Sequence, residues 1–144
     1  IHVCKENYSK LPDDKIHDLY IDGYGLIWIN HSTFGISMFD IQKNEVTYFL
    51  IHDEYGNPLM TETGAIVFED KNDILWIHPK GGGFSYYDRE NNQLIPFNTI
   101  KDKYMWRSND RCYCATIDRQ GNLWLSTQMG GLILFSCFLW IIMI

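Results

Sequence analysis

Short runs rich in Ile, Phe, Tyr, Trp and Val alternate along the chain with clusters of Asp, Asn, Gly and Lys. No window keeps the three-to-four-residue apolar spacing of a capped amphipathic helix, so the pattern predicts β structure throughout. The runs at 17–22, 26–31, 36–41 and 46–51 read as four strands joined by tight turns. Four more follow at 65–70, 74–78, 84–88 and 94–97, and three at 112–118, 122–127 and 132–135.

These groups of strands repeat. Trp28, Trp76 and Trp124 are separated by 48 residues each, and the same offset relates Asp22, Asp70 and Asp118. Gly35, Gly83 and Gly131 match in the same register, as do Phe39, Tyr87 and Phe135. Asp40 matches Asp88, where the third copy has Ser136, and Phe49 matches Phe97. No gap is needed across the copies DGYGLIWINHSTFGISMFD, DKNDILWIHPKGGGFSYYD and DRQGNLWLSTQMGGLILFS. Four strands per 40–50 residues is the signature of a propeller blade, and a sandwich would not keep such a period. The fold class is therefore all-β, a β-propeller fragment of about three four-stranded antiparallel blades that does not close into a ring. The blades are placed at about 15–62, 63–110 and 111–144, the last incomplete. The three Trp are expected at equivalent buried sites, each filling the gap between neighbouring sheets.

The turns narrow the chemistry. Asp22-Gly23-Tyr24-Gly25 and Asp118-Arg119-Gln120-Gly121 put Asp where its carboxylate accepts a backbone amide, with Gly three residues later where φ > 0 is required. In the middle copy Asp73 takes the place of that Gly. A calcium loop would need more oxygen ligands and a late Glu, so no metal is expected. The Gly-rich segments before the third strand are followed by strands, not helices, which removes the phosphate-loop reading.

The pattern D-x-x-G-x-[LI]-W-[IL] followed by G-[LIF]-x-x-[FY]-[DS] resembles the two-component regulator propeller repeat. The resemblance covers residues 15–135. That repeat builds the periplasmic sensor domains of Bacteroides-type hybrid two-component system histidine kinases. The resemblance implies seven-bladed propellers followed by a β-sandwich, a membrane helix and a kinase, and a response to breakdown products of glycans. It implies a fragment of an extracytoplasmic sensor, periplasmic, taking part in recognition of a carbohydrate-derived signal. The remaining blades of a longer chain would then be its partners. The alternative is a structural or protein-interaction scaffold without a signalling role.

Composition agrees with a folded domain: 46% of the 144 residues are hydrophobic and 21% charged. The net charge of −6 with no basic run argues against nucleic acid as a partner. His2, His17, His31, His52 and His78 show no metal-ligand spacing and read as scattered surface or interstrand residues. No nucleophile elbow or paired acid and base is present, so no catalytic residues, cofactor or enzymatic activity are expected. Cys4, Cys112, Cys114 and Cys137 read as buried apolar residues, with Cys112 and Cys114 on one face of a strand. The ligand candidates lie in the loops free of the repeat: Tyr55, Tyr104, Trp106, Arg107 and Arg111. Their rings could stack on sugars and their guanidinium groups could pair with acidic substituents of an oligosaccharide.

The chain opens on Ile1 without a signal-peptide pattern and is expected to be a piece of something longer. Residues 136–144 form an atypical apolar tail. Where the first two copies have polar turns, this register gives Phe138, Leu139, Trp140 and Ile141. The tail and the open blade edges are expected to promote self-association.

Overall fold

The computed structural model describes residues 1–32, 35–52, 57–59, 64–70, 72–79, 84–96, 112–128 and 131–135. Gly83, Phe97, Cys137 and the tail 136–144 lie outside the described residues. The eleven described strands are β1 Ile16–Ile21, β2 Ile27–His31, β3 Ile36–Asp40, β4 Glu45–Phe49, β5 Ala65–Glu69, β6 Leu75–Pro79, β7 Ser85–Asp88, β8 Gln93–Pro96, β9 Cys112–Ile117, β10 Leu123–Thr127 and β11 Leu132–Phe135. They form three antiparallel meanders ordered β1-β2-β3-β4, β5-β6-β7-β8 and β9-β10-β11. The strands fall within a residue or two of their sequence positions, and no helix occurs among the described residues.

The 48-residue register is kept in the pairing. Trp28 lies opposite Tyr20 and Met38, Trp76 opposite Phe68 and Tyr86, and Trp124 opposite Thr116 and Leu134. Because side chains alternate across a strand, each sheet has two distinct faces. The trailing face carries the Trp and its opposites. The leading face carries Ile27, Ile29 and Phe39 in the first sheet, and Leu75, Ile77 and Tyr87 in the second.

Trailing faces pack on leading faces. In the first seam Trp28, Met38 and Phe49 bury against Leu75, Ile77 and Tyr87. The Trp28 and Tyr87 rings meet edge to face, 4.8 Å apart, as aromatic quadrupoles favour. In the second seam Phe68 and Trp76 bury against Leu123 and Leu125. Among the described residues, the leading face of the first sheet meets no sheet. Its Ile29, Phe39 and Val46 are covered instead by Leu11, with Val3 and Tyr8 beside it.

The hairpin between β3 and β4 shows why polar residues stand there. Asp40 accepts from the Gln42 and Lys43 amides, and Asn44 closes the turn at φ 55°. Asp88 and Asn92 repeat this, with Asn92 at φ 52°. Asn is one of the few residues that visits this left-handed region readily. The third copy has Ser136 and Trp140 at these positions of the sequence, so the carboxylate gives way to a weaker hydroxyl acceptor and the tolerant residue is missing. The repeat glycine has its own reason. Gly35 sits at φ 85°, and a Cβ there would run into the Tyr48 ring.

Two expectations need correction. Trp28 and Trp76 are buried, but Trp124 is only half-buried, and among the described residues no further sheet covers its face. Cys112 is buried, whereas Cys114 is exposed and Cys4 half-buried. A bulge between Ser126 and Thr127 shifts the β9 register. Cys112 and Cys114 therefore do not share a face, despite standing two apart.

Truncating Trp28 to Ala removes a fully buried filler and should cost about 3–5 kcal/mol. Trp124→Ala, on the uncovered face, should cost clearly less. Denaturant unfolding of the two variants checks this, and equal losses would contradict the packing difference.

Candidate functional site

Each blade holds its Trp by a carboxylate six residues earlier. Asp22 Oδ1 accepts from the Tyr24 and Leu26 amides, which shapes the turn between β1 and β2. Its Oδ2 accepts the Trp28 indole N–H at 3.1 Å. Asp70 does the same for Asn72, Ile74 and Trp76, with the indole at 3.0 Å. Asp118 does so for Gln120, Asn122 and Trp124, with the indole at 2.9 Å. Asp73 adopts φ 60°, so it fills the left-handed place of Gly25 and Gly121 without changing the turn. The carboxylates of these acidic turns therefore accept N–H donors of their own blade, and Asp22 one more from Arg89 of the second blade. Among the described residues no group of three or more His, Cys, Asp or Glu could hold a metal ion.

The indole N–H and the Asn122 amide hold Asp118 well below the usual carboxylate range, at about 2. Its folded value is depressed, so its contribution to stability is present above the ordinary carboxylate value near 3.8. That contribution is lost as pH falls from there toward about 2. The Trp124 indole N–H resonance should keep its position down to pH values near 3 and shift below that. An indole signal that titrates at the ordinary Asp value would contradict the bond.

The seam between the first and second sheets carries a polar cluster that the repeat does not predict. Arg89 donates to Asp22 Oδ2 at 2.9 Å and to Glu69 Oε1 at 2.7 Å. Glu69 Oε2 accepts the Gly23 amide at 2.7 Å, and the Tyr20 hydroxyl accepts the Glu69 amide at 3.1 Å. The Arg89 guanidinium lies 4.0 Å from the centre of the Tyr24 ring. At the other end of the seam, the Asn30 amide group bonds both the carbonyl and the N–H of Ala65, at 2.8 and 3.0 Å.

Beside Arg89 opens a cleft of about 570 Å³, lined by Tyr24, Leu26, Met38, Asp40, Tyr87 and Asn92 among others. Its lining combines apolar side chains with carboxylate, amide and aromatic groups. It has room for a small polar molecule and holds no nucleophile paired with a base. Breaking a buried ion pair by removing one partner costs about 3–5 kcal/mol. Arg89 is partly exposed, and Asp22 keeps three other donors, so Arg89→Met should cost on the order of 2 kcal/mol. Denaturant midpoints measure it; a change indistinguishable from wild type would reduce the cluster to a surface ion pair.

The sequence candidates Tyr55, Tyr104, Trp106, Arg107 and Arg111 all lie outside the described residues. The cleft and its Arg89 cluster were missed because Glu69 and Arg89 have Ile21 and Ile41 at the same places in the first copy. The histidines divide. His2 and His17 are exposed, but His31 and His78 are fully buried within β2 and β6. His31 Nε2 lies 2.8 Å from the Ser37 hydroxyl. Burial pushes His31 below its ordinary value, against the opposing pull of Asp13.

No family model and no curated protein matches this chain. Solved structures do. The extracellular domain of BT3049 from B. thetaiotaomicron, assigned as a hybrid two-component system, matches with a TM-score of 0.69 at 15% identity. The alignment covers 96% of this chain and 16% of that one. The extracellular domain of BT4673 from the same organism, described as a one-component and as a hybrid two-component system, matches with a TM-score of 0.67 at 22% identity. That alignment covers 93% of this chain and 18% of the other. The chain thus has the fold of a part of these domains and spans less than a fifth of their length.

Proposed function

We propose that this chain is part of an extracytoplasmic, periplasmic sensor propeller of a hybrid two-component regulator, taking part in recognition of a carbohydrate-derived signal. The observation that carries the reading is the fold match, over nearly the whole chain, to extracellular domains of proteins assigned to such systems. The repeat motif supports it independently, because the Asp and Trp positions that define it are bonded to each other in each of the three sheets. In this reading the remaining blades of a longer chain are its partners. It carries no catalysis itself, and any kinase activity resides elsewhere in the longer protein. The ligand contacts are Tyr55, Tyr104, Trp106, Arg107 and Arg111, where the chain departs from its repeat.

The scaffold alternative gains one observation. Leu132 and Leu134 are exposed on the third sheet, where the same register is buried in the first. A protein partner would fit such a face.

Calorimetric titration of the chain with a panel of neutral, uronic and sulfated oligosaccharides separates the two readings. The sensor reading expects at least one oligosaccharide to bind. The variants Trp106→Ala and Arg107→Ala should weaken that binding by about tenfold or more, as loss of a stacking ring or a charged contact does. Binding that ignores all five substitutions would remove the assigned contacts. No binding to any member by the folded chain would favour the scaffold.

A further inference from the structure

The sequence contains one Asp-Gly pair and no Asn-Gly pair: Asp22-Gly23, in the turn between β1 and β2. An Asp followed by Gly is open to attack by the backbone on its own side chain, because Gly puts no Cβ in the way and lets the chain bend. In that reaction the Gly23 nitrogen bonds to Asp22 Cγ and one Cγ–O bond breaks. The oxygen leaves as water, with the amide proton and a proton from solvent. Water then opens the cyclic imide. Opening at the former backbone carbonyl leaves an isoaspartyl residue, whose main chain runs through Cβ and Cγ. Its carboxylate then stands on Cα, and the geometry that holds the turn and the Trp28 indole is lost.

In the folded chain both reacting groups are engaged. Asp22 is 4% exposed, and four donors hold its oxygens: the Tyr24 and Leu26 amides, the Trp28 indole and Arg89. The Gly23 N–H donates to Glu69 Oε2 at 2.7 Å. A carboxylate placed there opposes loss of the amide proton, which the attack requires. Glu69 is held in turn by Arg89 on Oε1 and by the Tyr20 hydroxyl at its amide.

Neither backbone nor space calls for glycine at this position. Gly23 does not take a positive φ, unlike Gly25, and a Cβ on it would meet the Glu69 carboxylate at an ordinary 3.4 Å. The other copies have Lys71 and Arg119 here. One repeat on, beside Asp70-Lys71, the positions of Glu69 and Arg89 hold Ile117 and Cys137. The carboxylate and the guanidinium thus accompany the labile pair and are replaced where the pair is not labile.

We infer that Asp22-Gly23 is a latent site of isoaspartate formation, kept closed by Glu69 and Arg89 of the second blade. Local release of their bonds, rather than unfolding of the whole chain, opens it. The inference rests on the turn and its four partners and stands apart from the sensor reading.

Storage of the folded full chain at neutral pH tests this, followed by peptide mapping that separates the aspartyl and isoaspartyl forms of the fragment holding residue 22. The chain unfolded in urea gives the unguarded rate. The folded chain should form isoaspartate at Asp22 at least about tenfold more slowly. Glu69→Ala should speed the reaction about tenfold, as loss of a charged hydrogen-bond partner allows. Arg89→Met and the milder Glu69→Gln should also speed it, so the test stands if Glu69→Ala does not fold. Near-ultraviolet circular dichroism of the buried Trp residues reports folding. Asn30→Ala removes the amide bonds at the other end of the same seam and should speed the reaction far less. Adding Gly23→Ala to a faster variant should suppress the product. The inference is overturned if the folded chain matches the unfolded rate, if the folded Glu69 and Arg89 variants are no faster than it, or if Asn30→Ala speeds the reaction as much as they do.

Discussion

The interaction on which the rest of the structure depends is the bond from each Trp indole to the turn carboxylate six residues before it. A Trp used only as filler would bury an N–H without an acceptor, at a cost of about 1–3 kcal/mol. The carboxylate removes that cost and also organises the turn between the first two strands of the blade, because its other oxygen takes two backbone amides. One side chain therefore fixes a turn and aims a ring. The ring, held on the trailing face, gives the next sheet a defined surface to pack against. In this way a local turn preference becomes a seam between sheets.

The two seams share this device and otherwise differ. The first is tied by Arg89, Glu69, Tyr20 and Asn30 across the sheets. At the second, the positions of Tyr20, Asn30 and Glu69 hold Phe68, His78 and Ile117. Apolar contact tolerates small slides and rotations, whereas charge pairs and amide pairs have one satisfactory geometry. The first seam therefore has its register specified twice, by packing and by polar bonds. Among the described residues, the second packs Phe68 and Trp76 against Leu123 and Leu125. The cleft beside Arg89 belongs to the first seam, so its walls are held by both packing and polar bonds.

What the sequence reveals follows from the same division. A period exposes whatever every blade needs, and so the strands, the turn Asp, the Gly at the second hairpin and the Trp were all legible. The bond joining Asp to Trp was visible as two separate regularities at constant spacing, and geometry was required to connect them. Contacts made by one seam alone leave no periodic trace: Arg89 and Glu69 look like ordinary surface charges until the neighbouring sheet is placed against them. The burial of His31 arises from residues 1–15, which lie outside the repeats as first aligned. The exposure of Cys114 depends on a bulge in β9, which sets it on the opposite face from buried Cys112. Neither can be read from local composition.

A repeat architecture also separates the positions that carry the fold from those free to carry a function. A substitution at Asp70 or Trp76 disturbs a turn and a seam together, so such positions have little latitude for ligand chemistry. The segments holding Tyr55, Tyr104, Trp106, Arg107 and Arg111 carry no such constraint in the sequence pattern. Arg89 is a third kind of residue, neither part of the repeat nor free, since its charge is already engaged by two carboxylates. A ligand entering the neighbouring cleft would meet a guanidinium whose strongest partners are taken and a Tyr24 ring with one face covered. Arg89 therefore has little charge left to offer an anion in the cleft. The guanidinium groups proposed to meet an acidic ligand, those of Arg107 and Arg111, lie in a different part of the sequence, outside the repeat pattern.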